Sequence, residues 1–151
     1  MKNKKTLIFR SFEKKDVKDV LDLLNSLSKK NKEFFHPHAF DEKTLLENIN
    51  SDDHYFVLTI DEKIIGYSFL RLFGYEIPSF GCCIKNGFEN IGYGTKITDF
   101  TMKKAKELGY NKIILKTYKE NIFAQKIYNK IGFKITGETD YKRQYKMELE
   151  I

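Results

Sequence analysis

The chain has 151 residues, of which 41% are hydrophobic, 15% aromatic and 32% charged, with a formal net charge of +6. That length suits one domain, here residues 1–151, able to bury a core without disulfide or metal staples. Thirteen Phe and nine Tyr argue against disorder, two Pro exclude a Pro-rich stalk, and no apolar run approaches the ~18 residues of a membrane span.

The charge is uneven. Residues 1–75 carry 13 basic and 12 acidic side chains, while residues 76–151 carry 14 and 9. A positive second half suits an anionic partner, either nucleic acid or a phosphorylated cofactor. The apolar stretch Leu7–Phe9 after the charged N-terminus is too short for a signal peptide. Cys82 and Cys83 are adjacent and would face opposite sides of a strand, so no disulfide framework is expected. A reducing, cytoplasmic compartment follows. His36, His38 and His54 have no metal-ligand spacing, so no metal is expected.

In chain order, Thr6–Arg10 reads as a strand, rich in β-branched and aromatic residues. Asp16 opens a helix in which Val17, Val20, Leu21, Leu24 and Leu27 share helical spacing. Lys29–Phe40 is expected to be a polar, aromatic loop containing His36-Pro37-His38. Asp41 caps a short helix carrying Leu45, Leu46 and Ile49. Strands over His54–Ile60 and Lys63–Leu72 form a hairpin through Asp61-Glu62, and Pro78–Ile84 is a further strand. After the turn Glu89–Gly94, Ile97, Phe100, Thr101, Ala105 and Leu108 mark a long helix ended by Gly109. Lys112–Tyr118 is a strand and Asn121–Ile131 a helix, and Phe133–Glu138 and Tyr145–Ile151 are the last strands. This order predicts an α/β (α+β) layered fold around one sheet.

Two stretches carry chemistry. In the first, a strand ending at Ile84 leads through Gly92 and Gly94 into the long helix. Glycines admit close backbone approach, and free amides at a helix start attract anions. The spacing fits neither a Walker loop nor a dinucleotide turn. In the second, Asn121, Ala124 and Tyr128 share one helical face, beside an apolar stripe of Phe123, Ile127 and Ile131. On the residues alone, Asn121 is equally a helix cap and Tyr128 a half-buried core residue.

Together these stretches resemble the GNAT acetyltransferase superfamily. Its pyrophosphate turn, Gln/Arg-x-x-Gly-x-Gly/Ala, matches Glu89 to Gly94 except at its first position, where Glu89 stands. Its later Asn-x-x-Ala-x-x-x-Tyr-x-x-x-Gly-Phe segment is complete in Asn121, Ala124, Tyr128, Gly132 and Phe133. The resemblance implies a mixed, mostly antiparallel twisted sheet of about seven strands flanked by four helices. It also implies acetyl-CoA as co-substrate.

The cofactor-binding residues it implies are Cys83, Ile84, Glu89, Asn90, Ile91, Gly92, Tyr93, Gly94, Thr95, Asn121, Ala124 and Tyr128. The amides of Ile91–Thr95 are expected to hold the phosphates while Glu89, whose charge would repel them, turns to solvent. Lys96, Lys126 and Lys130 are candidate phosphate contacts. A strand amide around Cys83 or Ile84 would polarise the thioester carbonyl. Tyr128 would supply a proton to the departing sulfur.

Glu76, His38 and His36 are candidate bases, in that order, and His36, His38, Glu76 and Tyr118 candidate acceptor contacts. Tyr67, Tyr75 and Tyr141, with the loop Phe34–Phe40, would suit a ring-shaped acceptor. An acyl-cysteine route through Cys82 or Cys83 is less consistent with direct transfer. The implied function is acetyl-CoA-dependent N-acetylation of a primary amine of a small molecule, with an amino sugar as one candidate. Alternatives are acetylation of a protein N-terminus or lysine, and a non-catalytic acyl-CoA-binding module favoured by Glu89. Three Arg and no nucleic-acid signature argue against nucleic acid. No membrane partner is expected, and a homodimer is left open.

Overall fold

The computed structural model describes residues 5–73 and 76–151. Its elements run β1 (Leu7–Ser11), a 3-10 turn (Lys14–Asp16), α1 (Val17–Ser26), α2 (Lys29–Phe34), α3 (Glu42–Ile49), β2 (His54–Ile60), β3 (Lys63–Arg71) and β4 (Ser79–Ile84). They continue with α4 (Tyr93–Glu107), β5 (Lys112–Tyr118), α5 (Ile122–Ile131), β6 (Lys134–Glu138) and β7 (Gln144–Glu150). The seven strands form one sheet in the order β1-β2-β3-β4-β5-β7-β6. Every neighbouring pair is antiparallel except β4 and β5.

The expected mixed, mostly antiparallel sheet is present, but the described residues hold five α-helices rather than four. The added one is α2, inside the segment read as a loop. Ser28 Oγ caps it by accepting from the Asn31 amide at 3.1 Å. Its six residues bury nothing fully, so it shows no apolar stripe. The β2–β3 hairpin turns at Asp61 and Glu62, both at positive φ (48° and 71°). That backbone matches the twist of the paired strands.

Asp16 precedes α1 but does not cap it with its side chain. It instead takes a bidentate bond from Arg10, Nη1 to Oδ2 at 2.6 Å and Nη2 to Oδ1 at 2.8 Å, and accepts from the Glu13 amide at 2.9 Å. Burial pushes the Asp16 carboxyl up, but the Arg10 bond, the Glu13 amide and nearby cations outweigh it, leaving it below its ordinary value. The pair ties β1 to the start of α1.

The sheet has a core on each face. One is built around Val20, Leu23, Leu24 and Leu27 of the α1 region, Leu45 of α3, and Tyr55, Tyr67 and Phe69 of the sheet. Each buried Leu contributes roughly 1.5–3 kcal/mol of transfer free energy. The other packs Met102 and Ala105 of α4 and Tyr128 of α5 against Phe80, Ile113, Leu115 and Met147. Small residues let α4 lie close: Thr101 Oγ1 meets Ser68 Oγ at 2.8 Å, and a Cβ on Gly66 would come within 3.1 Å of Ile97.

One feature of the sheet positions the site. β4 and β5 pair at a single register position, Ser79 with Ile114, and then diverge.

Candidate active site

The divergence of β4 and β5 opens a cleft of about 380 Å³, walled by Phe80–Ile84, Lys116 and Thr117, the start of α4 and the first turns of α5. Splayed strands leave backbone groups unpaired at a sheet centre, where such groups are otherwise almost always satisfied. Their direction follows from alternation along β4. The Lys85 amide donates to Ile65 O of β3 at 2.7 Å, while Pro78 O accepts from the Ile114 amide of β5. Backbone groups therefore point to β3 at Gly81 and Cys83, and toward the β5 side at Phe80, Cys82 and Ile84. Of the two amides expected to polarise a carbonyl, Ile84 faces the cleft and Cys83 is turned into the β3 ladder.

The turn after β4 uses positive φ at Gly87 (97°), Asn90 (62°) and Gly92 (102°). Gly92 is the N-cap of α4 and offers no side chain to the helix start. The amides of Tyr93, Gly94 and Thr95 consequently have no partner within the helix. Gly92, Gly94 and Thr95 line the cleft, so this helix end and its dipole face it. A Cβ on Gly94 would come within 3.1 Å of Ile127 on α5, which would crowd the two helices at the cradle.

Glu89 is not turned to solvent. It is half-buried, lines the cleft, and its Oε1 accepts from the Gly87 amide at 2.7 Å. The carboxylate is folded back onto its own turn, so a negative charge sits at the edge of the amide cradle. Asn90 also lines the cleft, whereas Ile91 is 66% exposed and Tyr93 lies outside its lining. Of the three lysines considered for phosphates, Lys126 lines the cleft and Lys96 and Lys130 do not.

On the far wall, Asn121 Oδ1 caps α5 by accepting from the Ala124 amide at 3.3 Å. Asn121, Ala124 and Tyr128 all line the cleft. The Tyr128 ring packs edge-on against Phe80 and Phe133. Burial, then the neighbouring Cys82 thiol, pushes the Tyr128 phenol well above its ordinary value. It therefore keeps its proton at neutral pH while reaching the cleft.

Burial likewise pushes the Cys82 thiol up to about 11, against bonds to Thr98 and Tyr128 that lower it. Cys83 is raised by burial as well, and lies in the core on the opposite face. Both thiols are protonated at neutral pH, which disfavours an acyl-cysteine route.

The other expected residues separate. Glu76 is exposed and does not line the cleft, and Tyr75 lies outside the described residues. Tyr141 is 88% exposed. His38 is turned inward: Nδ1 meets Ala39 O at 2.8 Å and Nε2 meets the Tyr67 hydroxyl at 2.9 Å. A carbonyl only accepts, so Nδ1 carries the proton and Nε2 accepts from Tyr67. Burial holds His38 below its ordinary value, with the Arg71 charge adding and the Ala39 bond opposing. Both nitrogens are taken, which leaves His38 a structural role.

His36 instead meets the Tyr118 hydroxyl through Nε2 at 2.8 Å, and both residues line a second cleft of about 220 Å³. This cleft shares Phe34, Phe35, Phe80, Gly81 and Lys116 with the first, so the two adjoin across β4 and β5. Sequence reasoning missed Arg71 and Lys116, which line it. Neither belongs to a motif, and no signal in the sequence pairs them.

The comparisons with known proteins agree with this architecture. The model of the acetyltransferase (GNAT) family matches residues 20–133. An acetyltransferase of GNAT family from Streptococcus pneumoniae superposes with a TM-score of 0.80 at 21% identity, over 97% of this chain and 100% of that one. Spermidine N-acetyltransferase from Vibrio cholerae, in complex with CoA and spermine, gives 0.79 at 20% identity over 95% of each chain. PaiA N-acetyltransferase from Thermoplasma acidophilum, in complex with coenzyme A, gives 0.80 at 18% identity over 97% of this chain and 99% of that one. The chain belongs to the GNAT family of acetyltransferases, whose co-substrate is acetyl-CoA. Among the described residues no group of three His, Cys, Asp or Glu could hold a metal ion, and no helix is long and apolar enough to cross a membrane.

Proposed function

We propose that this protein is an N-acetyltransferase acting on a primary amine of a small molecule, with residues 1–151 working as one catalytic domain. The observation that carries the reading is the pair of adjoining clefts between β4 and β5. It brings the α4 amide cradle, the Ile84 amide and the protonated Tyr128 to one side, and an aromatic side pocket to the other.

The chain's residues fit the co-substrate. The amides of Gly92, Gly94 and Thr95 would hold its pyrophosphate, and Asn121, Ala124 and Phe123 would flank its arm. When bound, acetyl-CoA supplies an activated acetyl thioester. The Ile84 amide donates toward negative charge developing on an acyl oxygen. Tyr128 holds a proton on Oη that a departing thiolate needs. Aromatic side chains line the acceptor side, and His36, held by Tyr118, orients the incoming amine there. A side pocket of about 220 Å³ suits a small acceptor.

Glu89, the departure from the family's turn, favours a second reading, a non-catalytic acyl-CoA-binding module. Thiol release from acetyl-CoA in the presence of a panel of amines separates the two. Amine-dependent release that disappears in Tyr128→Phe supports the enzyme. Tight acetyl-CoA binding without release for any amine supports the binding module.

A further inference from the structure

The acceptor pocket carries a charge of the wrong sign for a simple ammonium. Its walls are mostly aromatic, and the charged side chains lining it are Arg71 and Lys116. No Asp or Glu lines it among the described residues. Arg71 is fixed: Nη1 donates to Pro37 O at 2.6 Å, and the guanidinium stacks 4.5 Å from the Phe73 ring centroid. Its Nε is buried without a hydrogen-bond partner. The nearest carboxylate is Asp53, whose Oδ2 lies 3.8 Å from that Nε and whose Oδ1 accepts from the Leu72 amide at 2.8 Å. Asp53, which does not line the pocket, offsets part of the Arg71 charge on the Nε side. Lys116 is exposed and has no ion-pair partner among the described residues.

Beyond Tyr118, the outer rim adds Lys119, Lys142 and Arg143 against Glu33 and Glu120. Lys119 is itself paired with Glu138 at 2.9 Å. The rim therefore does not reverse the sign of the pocket.

We propose that the acceptor is an amine that also carries an anionic group, a carboxylate or a phosphate, held by Arg71 and Lys116 with its apolar part against the aromatic walls. This rests on the acetyltransferase reading above. Arg71 Nη2 has no hydrogen-bond partner among the described residues and is not sealed from solvent, and an anionic oxygen in the pocket would supply one. The same two cations disfavour a bound ammonium and favour its neutral amine, with the released proton passing to solvent. The field thus takes over part of the task of a base, in a pocket that neither Glu76 nor a free His38 reaches. A polyamine brings further positive charge and no anion, so it is excluded on both counts.

The test uses the full chain with acetyl-CoA and matched acceptors. Phenylalanine is compared with 2-phenylethylamine, alanine with ethylamine and glucosamine 6-phosphate with glucosamine, with spermidine as the polyamine. Each anionic member that is turned over should exceed its neutral partner in kcat/KM by about tenfold or more, with spermidine slowest. Arg71→Gln should bring that ratio to within about threefold while acetyl-CoA affinity stays unchanged. Lys116→Met, an exposed substitution, gives the same compression and guards against a folding defect at Arg71. The carboxylate and phosphate pairs distinguish the two anions.

A preference for 2-phenylethylamine, glucosamine or spermidine overturns the proposal, as does an unchanged ratio in both variants. So does acetyl-CoA binding intact while calorimetry and turnover detect none of the anionic amines. Failure of acetyl-CoA itself to bind instead removes the acetyltransferase reading beneath it.

Discussion

The two arms of the β4/β5 cleft are built from different materials. The cofactor arm is mainly backbone: a turn with positive φ at three positions, the open end of α4, and the outward amide of Ile84. The acceptor arm is mainly side chains, brought from α2, the loop after it, β3, β4 and β5. A backbone site depends on local geometry and survives many changes of side chain. A side-chain site changes with each substitution.

That contrast can be broken most sharply at Tyr128, the one side chain of the cofactor arm assigned to chemistry. Tyr128→Phe should lower kcat roughly 100-fold, in the range of a lost general acid. Acetyl-CoA affinity measured by calorimetry should stay within about twofold, because the ring packing is retained. An unchanged kcat would remove the acid role and leave the cofactor arm purely a backbone device.

The next effect concerns the scaffold under the acceptor arm. Asp16→Ala leaves Arg10 without its bidentate partner where β1 meets α1. The loss should be about 2 kcal/mol in urea unfolding, below the ~3–5 of a fully buried pair because Arg10 keeps partial contact with water. The acetyl-CoA dissociation constant should not change at a temperature where the variant is folded. A parallel loss of cofactor affinity would show the arms to be mechanically coupled.

Glu89→Gln tests whether the cofactor arm is indifferent to side chains. Removing the carboxylate beside the cradle should tighten acetyl-CoA severalfold, roughly 1 kcal/mol at low ionic strength, and less at high salt. Equal affinity at every salt concentration would mean that the Gly87 bond neutralises the charge for the phosphates.

The smallest expected effect is on pH. Folded His38 binds a proton less tightly than the unfolded chain, whose histidine titrates near the ordinary 6.5. The unfolded state therefore takes up more protons as pH falls through that value, and stability declines until the lowered folded value is passed. The melting temperature should drop between about pH 7.5 and about pH 5.5, and His38→Gln should flatten this segment of the profile. An unchanged slope would show that His38 is not the group being protonated.

Much of this was legible beforehand, for identifiable reasons. The strand Lys112–Tyr118, the hairpin at Asp61-Glu62 and the helix after Gly92 follow local periodicity and turn chemistry, which a linear chain carries complete. The cofactor arm was legible for the same reason, since its turn and helix start are contiguous. Glu89 was read as a departure, but not as folded back onto Gly87, because the turn's dihedrals decide where its carboxylate lies. The helix α2 escaped because six residues are too few to display a period. His36 and His38 are two residues apart and identical in kind, yet one meets Tyr118 at the cleft and the other Tyr67 in the core.

The sequence by itself determined the order of the strands and of every helix but α2, the glycine turn, and the shared face of Asn121, Ala124 and Tyr128 on α5, since each depends on residues within a few positions. Only the tertiary structure decided which strand amide faces the cleft, which histidine is free to act, and that Arg71 and Lys116 share a pocket. Those depend on register and on the single-position pairing of β4 with β5. The excess of positive charge in residues 76–151 first suggested an anionic partner without placing it. In the folded chain, one cation from each half of the sequence meets at the acceptor pocket, because β3 and β5 flank β4 in the sheet.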